Sequence, residues 1–414
     1  MEEKFVQRDI DLIKNDSIGK IKISKLWELM GDHPYKDQVY KKFKIDDIKD
    51  EFIIIDFIDV IFKKIKYYND NYIRHSILAQ TKDISISEEM IAIDGRKEKS
   101  IVFHFEEYVV IDELKENLKT IAKYDSKNTY LDEFVMTKYA NNLFKKGLSE
   151  LAKINFQYFK DLANSSENYN KHRNYRLVKH KGINYLRGIT SVNKYFEYGV
   201  DFTFVMSMLV FHDFMKKNKG IEYKITSASI NESKLEIIVS EKSQKDAGSF
   251  GKVSTAIKVS TNDLGQGSLN FLNIINVGQV DKLGFYLFPK LNTIDNNRVI
   301  ITHTTKPENV YEILKNLESV LNTSDNFIKD LKDTKTIKTP DELRMKIRAK
   351  IDNPRSSFKD IKKLSDIFKP KIENEISQFS KLLEMCKKAE ELDIQFDLKD
   401  KLRYMISDIL LYGA

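Results

Sequence analysis

The stretch VDFTFVMSMLVFHDFMKK, residues 200–217, is apolar on nearly every face of a helix, so it is stable in water only with protein packed on several of its sides. Segments of a different period follow it. In IEYKITS, Ile221, Tyr223 and Ile225 alternate with Glu222, Lys224 and Thr226, the two-residue repeat of a half-covered sheet. KLEIIVSE, STAIKVS, SLNFLNIINV, LGFYLFP and NRVIITHT extend this β pattern to about residue 304. The expected centre of the fold, over residues 176–304, is therefore a buried helix packed on a mainly antiparallel sheet.

A chain of 414 residues exceeds one ordinary core, and the flanks differ from the centre. Residues 1–162 mix β-like pieces, GKIKIS near 19–24 and SIVFHFEEYVVI at 100–111, with helical ones. An apolar helix is expected from Glu51. Another is expected in ELKENLKTIAKY, where Leu114, Leu118 and Ile121 share one helical face, and helical period runs from 131 to 162 with a break at Gly147. The polar run ANSSENYNKHRNY, 163–175, reads as a loop or linker. From Lys306 onward the pattern is helical. TPDELRMKIRAKI shows a clear start, with Thr339 as N-cap, Pro340 at the first helical position and Glu342 closing a capping box. Leu343, Ile347 and Ile351 would face the core. The expected class is α+β, in three parts: a mixed α/β region over 1–162, the helix-plus-sheet domain over 176–304, and a helical region over 305–414.

Cys386 is the only cysteine, which excludes an intramolecular disulfide and any zinc site built on two thiolates. A reducing, cytoplasmic setting is expected. The N-terminus lacks a secretory apolar core, and the most apolar early segment, 51–68, carries Asp56 and Asp59 and is too short to cross a bilayer. No membrane partner is expected. The seven histidines form no HExxH or HxH pattern, so no metal or cofactor is assigned. No G-x-S-x-G nucleophile elbow occurs, and His212 with Asp213 reads as a helix-end pair. Gly265-Gln266-Gly267 is followed by a strand pattern and by no Lys-Ser or Lys-Thr. It reads as a turn between strands, not a phosphate loop.

The net charge, 69 basic against 62 acidic residues, is a mild +7, so distribution matters more than the sum. Between Glu167 and Glu197 there is no acid. That interval carries Lys171, Arg173, Arg176, Lys179, Lys181, Arg187 and Lys194, interleaved with Tyr169, Tyr175, Tyr185, Tyr195, His172 and His180. Bases neutralise phosphates, and aromatic faces stack on unpaired bases. The candidate nucleic-acid contacts are Lys171, Arg173, Tyr175, Arg176, Lys179, Lys181, Tyr185, Arg187 and Lys194, joined by Arg344 and Arg348 of the C-terminal region. The competing reading is a loop leading into a strand whose Tyr and Leu residues face the core while its arginines make ordinary salt bridges.

The order of segments from 183 to 277 resembles the phage/plasmid-like protein family of unknown function. Arg187, Ser191, Tyr195, Asn262, Asp263, Gly265, Gly267 and Ser268 stand at that family's motif positions, whereas the Cys-x-Asn-Gly frequent after its last strand is replaced here by IINVGQVDKLG. The resemblance implies a mobile-element context and no particular reaction. The resulting expectation is a nucleic-acid-binding protein of a phage, plasmid or related element, acting on DNA or RNA in replication, recombination or strand annealing. The alternative is a non-catalytic interaction factor in host takeover, phage defence or anti-defence that assembles with itself or a protein partner. A cryptic hydrolase or nuclease using scattered acids or His212 is the weakest reading.

Overall fold

The computed structural model describes residues 5–163, 172–264, 268–278, 284–289, 297–310, 312–313, 320, 328, 331, 339–369 and 375–413. The chain forms two compact units, one from residues 1–65, 198–261 and 268–414, the other from 66–197 and 262–267. The class is α+β. The first unit opens with β1 (Arg8–Asp9), β2 (Lys20–Lys22), α1 (Ile23–Trp27), α2 (Lys36–Phe43), α3 (Ile45–Ile48) and β3 (Phe52–Asp56). The helix expected from Glu51 thus starts as a strand. Ile53 and Ile55 are buried while Phe52 and Ile54 are exposed, a two-residue alternation, and Phe57 at φ 69° ends it before α4 (Ile58–Asn71).

The second unit holds β4 (Ile73–Gln80), β5 (Ile84–Ile93), β6 (Arg96–Val110), β7 (Glu113–Ala122), α5 (Ser126–Asp132), α6 (Thr137–Lys145), α7 (Ser149–Ala163), β8 (His172–His180) and β9 (Ile183–Ser191). The strands lie in the order β4-β8-β9-β7-β6-β5, and β6 also pairs with β4, Leu78 opposite Val109. Five strands therefore close on themselves. β4 and β5 are two halves of one bent strand, interrupted at Thr81–Asp83, with the first half bonded to β8 and the second to β6. β7 and β9 run parallel, Ile121 opposite Tyr185. Counting β4 and β5 as one, the barrel has five strands, helices between the third and fourth, and a parallel pairing of the third with the fifth. That is the connectivity of an OB-type Greek-key barrel.

Its core gathers Ile77, Ile84, Ile86, Phe103, Phe105, Tyr175, Leu177 and Leu186 from the strands, with Tyr130, Phe134 and Phe156 from the helices. The Tyr130 hydroxyl donates to the Ile84 carbonyl at 2.8 Å, and Lys160 Nζ donates to the same oxygen at 3.0 Å. These bonds satisfy backbone left open where the first strand bends. The segment expected to be a helix at 113–124 is strand β7. Its three apolar residues have helical spacing, yet β6 offers a fifteen-residue edge, and pairing with it puts Leu118 opposite the core residue Phe105.

The chain re-enters the first unit with α8 (Gly199–Lys217), β10 (Tyr223–Ile230), β11 (Lys234–Glu241), β12 (Lys245–Asp246), β13 (Lys252–Asn262), β14 (Ser268–Val277), β15 (Phe285–Leu287), β16 (Arg298–Thr302), α9 (Pro340–Asp352), α10 (Lys362–Phe368), α11 (Phe379–Glu390) and α12 (Phe396–Tyr412). The main sheet runs β15-β14-β13-β11-β10-β3-β2. Helix α8 is buried at every position from Gly199 to Leu209, the covered helix its composition requires. Thr339 and Glu342 form the capping box ahead of α9. Leu343, Ile347 and Ile351 share a core with Val253, Ile275 and Val277 of the sheet and with Leu402 and Ile406 of α12. The three-part division 1–162, 176–304 and 305–414 is accordingly replaced. The first 65 residues supply β2 and β3 to the main sheet, and the C-terminal helices bury their apolar faces on that sheet. The turn expected at Gly265 and Gly267 lies outside the described residues; β13 ends at Asn262 and β14 begins at Ser268. Among the described residues no helix is long and apolar enough to cross a membrane.

Candidate nucleic-acid interface

The acid-free segment of the sequence forms the β8–β9 hairpin of the barrel. Strand alternation splits its residues between two faces, and the split decides what each one does. Tyr175 points into the barrel core with Leu177, fully buried, its ring edge-on to Phe105 at 5.0 Å between centroids. Arg176 and Arg187 are on the other face and are also buried, at 0% and 1% exposure. Both converge on Glu197. Arg176 grips its carboxylate with two nitrogens, at 2.8 and 2.9 Å, and Arg187 bonds one of the same oxygens. The Tyr195 ring lies 4.6 Å from the Arg176 guanidinium carbon, and its oxygen accepts from Arg176 at 2.9 Å. The Asp263 carbonyl accepts a further bond from Arg176. The loop passes over β9 at Gly188, where a Cβ would lie in ordinary contact, 3.4 Å from the Leu264 carbonyl. Burial pushes the Glu197 carboxyl up, but the two guanidiniums outweigh it and hold the group well below the usual carboxylate range.

Five of the expected contacts are corrected by this arrangement. Tyr175 and Tyr185 are buried and offer no face to a base; the Tyr185 hydroxyl is pushed up to about 12 by burial and by the charges of Asp94 and Glu98. Arg176 and Arg187 spend their charge on Glu197. Arg173, a third exposed, pairs with Glu133 at 2.8 Å. The C-terminal pair fares similarly. Arg344 is buried, bonded to Asp341 at 2.7 Å and to the Phe368 carbonyl at 2.8 Å, and Arg348 pairs with Asp352 at 3.2 Å. Lys171 lies outside the described residues. Lys179, Lys181 and Lys194 are exposed.

Lys179 and Lys181 mark the usable surface. Lys181, in the left-handed region at φ 50°, turns β8 into β9 together with Gly182. Its ammonium lies 3.2 Å from Asp94 at the tip of the β5–β6 hairpin, so the two loops stand side by side. The second tip brings exposed Arg96, Lys97 and Lys99. Of these, Lys99 pairs with Glu88 at 2.7 Å. Sequence reading missed this group because Asp94, Glu98 and the serines and glutamates of β5 dilute its charge along the chain. Only the barrel's closure sets it beside Lys179 and Lys181. The resulting surface is cationic and lacks an exposed aromatic among the residues just named, which suits contact with a phosphate backbone more than readout of bases.

His212, the expected catalytic histidine of the weakest reading, donates from Nε2 to the Glu51 carboxylate at 2.8 Å, while Asp213 pairs with Lys217 at 3.1 Å. Among the described residues no group of three or more His, Cys, Asp or Glu side chains is gathered as a metal site. The first unit buries a second ion cluster. Glu236 of β11 lies 2.6 Å from Lys258 of β13 and 3.0 Å from Arg403 of α12. Asp400 bonds both cations, and Glu390 accepts from Arg403 at 3.1 Å. Tyr286 and Phe288 cover Arg403 and Lys258 at 5.2 and 5.5 Å. Burial, and next the Asp400 charge, push Glu236 up to about 7. The cluster joins α12 to the sheet. No known protein family, curated protein or solved structure matches this chain at a significant level.

Proposed function

We propose that the chain binds single-stranded DNA or RNA through the β5–β6 and β8–β9 loops of its barrel, without catalysing a reaction. The observation that carries this reading is the closed strand order with parallel β7 and β9, which sets Arg96 and Lys97 beside Lys179 and Lys181. Five-stranded barrels of this connectivity take oligonucleotides or oligosaccharides at these two loops and the strands between them. The four cations at the loop tips favour the polyanion over the neutral sugar. A flexible single strand can follow two loop tips that a stiff duplex would span at few points. The resemblance of residues 183–277 to the phage/plasmid-like family suggests the setting, replication, recombination or annealing in a mobile element.

The test is fluorescence anisotropy of labelled single-stranded and duplex oligonucleotides, titrated at several salt concentrations. The wild-type chain should bind single strands with affinity that falls as salt rises. Changing Arg96, Lys97, Lys179 and Lys181 together to Ala should remove most of that binding. Affinity unchanged from low to moderate salt, or wild-type binding by the fourfold variant, would refute the reading.

A further inference from the structure

Helix α7 carries apolar residues over more of its circumference than the barrel covers. Ala152 and Phe156 are buried, Phe156 in the barrel core. On another side Leu148, Leu151, Ile154, Tyr158 and Phe159 are 43–65% exposed, and Tyr139 of α6 beside them is 50% exposed. At about 100° per residue, Leu151, Ile154 and Tyr158 fall within roughly 60° of one another. These six side chains expose on the order of 600 Å² of largely apolar surface, the upper end of what a monomer displays. Glu150, Lys153, Gln157 and Asp161 edge the stripe on one flank, and Gln157 donates to Asp161 at 2.9 Å. A groove of about 270 Å³ lined by Ile86, Glu150, Lys153, Ile154 and Gln157 runs along the same flank.

We propose that this face of α7 is the contact between two copies of the chain, packed antiparallel about a two-fold axis. A two-fold contact must present one patch that complements itself, and α7 has a register that does so. With the axis at Gln157, Lys153 stands opposite Asp161 of the second copy, and Ile154 lies within two residues, about 3 Å along the helix, of the position facing Tyr158 of the second copy. The ionic pair selects this register, and the apolar stripe tolerates it. Two such faces bury on the order of 1,200 Å², the lower bound for a specific, stable interface. The flank's two acids and single base argue against an anionic lipid surface as the occupant. The reading is independent of the barrel loops.

The experiment is sedimentation velocity of the full chain over a hundredfold concentration range, with circular dichroism confirming that each variant folds. The wild type should dimerise reversibly. Ile154→Glu should abolish dimerisation. Lys153→Asp and Asp161→Lys should each raise the dissociation constant about tenfold, because symmetry repeats every like-charge contact. Combining the two should restore it to near the wild-type value. A Lys181→Ala control should change nothing. A chain monomeric throughout, a dimer indifferent to Ile154→Glu, or a double variant no better than the single ones would overturn the proposal.

Discussion

Replacing Glu236 by Gln tests the charge accounting of the buried cluster on the main sheet. Three carboxylates, Glu236, Asp400 and Glu390, face two cations, Lys258 and Arg403. Fully ionised, the group holds one negative charge too many in a site where Glu236 is 2% exposed and Asp400 lies nearer solvent. Burial therefore lifts Glu236 from its ordinary 4.5 to about 7. The sign follows from linkage. Between those two values the folded chain keeps a proton that the unfolded chain has released, so stability is greatest below about 4.5 and is lost as pH rises to about 7. A gap of roughly two and a half pH units corresponds to roughly 3 kcal/mol. Asp400, held low by Lys258 and Arg403 against its burial, acts at lower pH with the opposite sign. Hydrogen exchange at the backbone amides of β11 and β13 reads the opening of this sheet alone, which suits a chain with two units. After correction for intrinsic exchange, wild-type protection should decline from pH 5 to pH 8 by about this amount, and Glu236→Gln should remove the decline. An equal decline in the variant would place the titrating group elsewhere and refute the reasoning.

Glu197→Gln should destabilise the barrel by about 3–5 kcal/mol, because it strands two buried guanidiniums; wild-type thermal stability and protease resistance of the variant would contradict this. Ala at Arg96, Lys97, Lys179 and Lys181 should lower the slope of log affinity against log salt by about 3, near 0.7 per phosphate contact. Arg344→Ala should leave that slope intact while lowering stability, since Arg344 bonds Asp341 and the Phe368 carbonyl, and a changed slope would return it to the interface. Burial pushes the Cys386 thiol far above its ordinary value, so the native chain should react with a disulfide reagent at least a hundredfold more slowly than the denatured chain. Equal rates would mean that α11 is not packed.

Elements whose signal is local were readable in the sequence. The all-apolar α8, the strands β10, β11, β13 and β14 and the Thr339 capping box each depend on neighbours a few residues away, and each is present as expected. What failed was decided at long range. Residues 113–122 have three apolar side chains at helical spacing, and only the neighbouring β6 edge makes them a strand. The barrel was invisible for the same reason: its strands are separated by the α5–α7 insertion, and closure rests on a pairing between Leu78 and Val109 that no local pattern announces. A domain line drawn near residue 162 followed a change in composition, whereas the actual units interleave, with residues 262–267 belonging to the barrel.

The acid-free run from Glu167 to Glu197 shows why charge along the chain is a poor guide to charge in space. Its missing acids arrive from elsewhere: Glu133 to Arg173, Asp94 to Lys181, and Glu197 itself to both Arg176 and Arg187. The competing sequence reading, tyrosines in a core and arginines in salt bridges, describes Tyr175, Tyr185, Arg173, Arg176 and Arg187. Alternation in β8 accounts for part of this, because a strand with one face in a core must turn every second residue the other way. Arg176 then has to be neutralised, since a guanidinium at 0% exposure without a counter-charge would cost several kcal/mol. Lys179 escapes that demand at the end of the strand, where the chain reaches solvent, and Lys181, exposed in the turn, meets only the exposed carboxylate of Asp94. A nucleic-acid surface on this fold is accordingly expected at loop tips, and the loops' neighbours in space, Arg96 and Lys97, complete it from a stretch whose own sequence is nearly neutral.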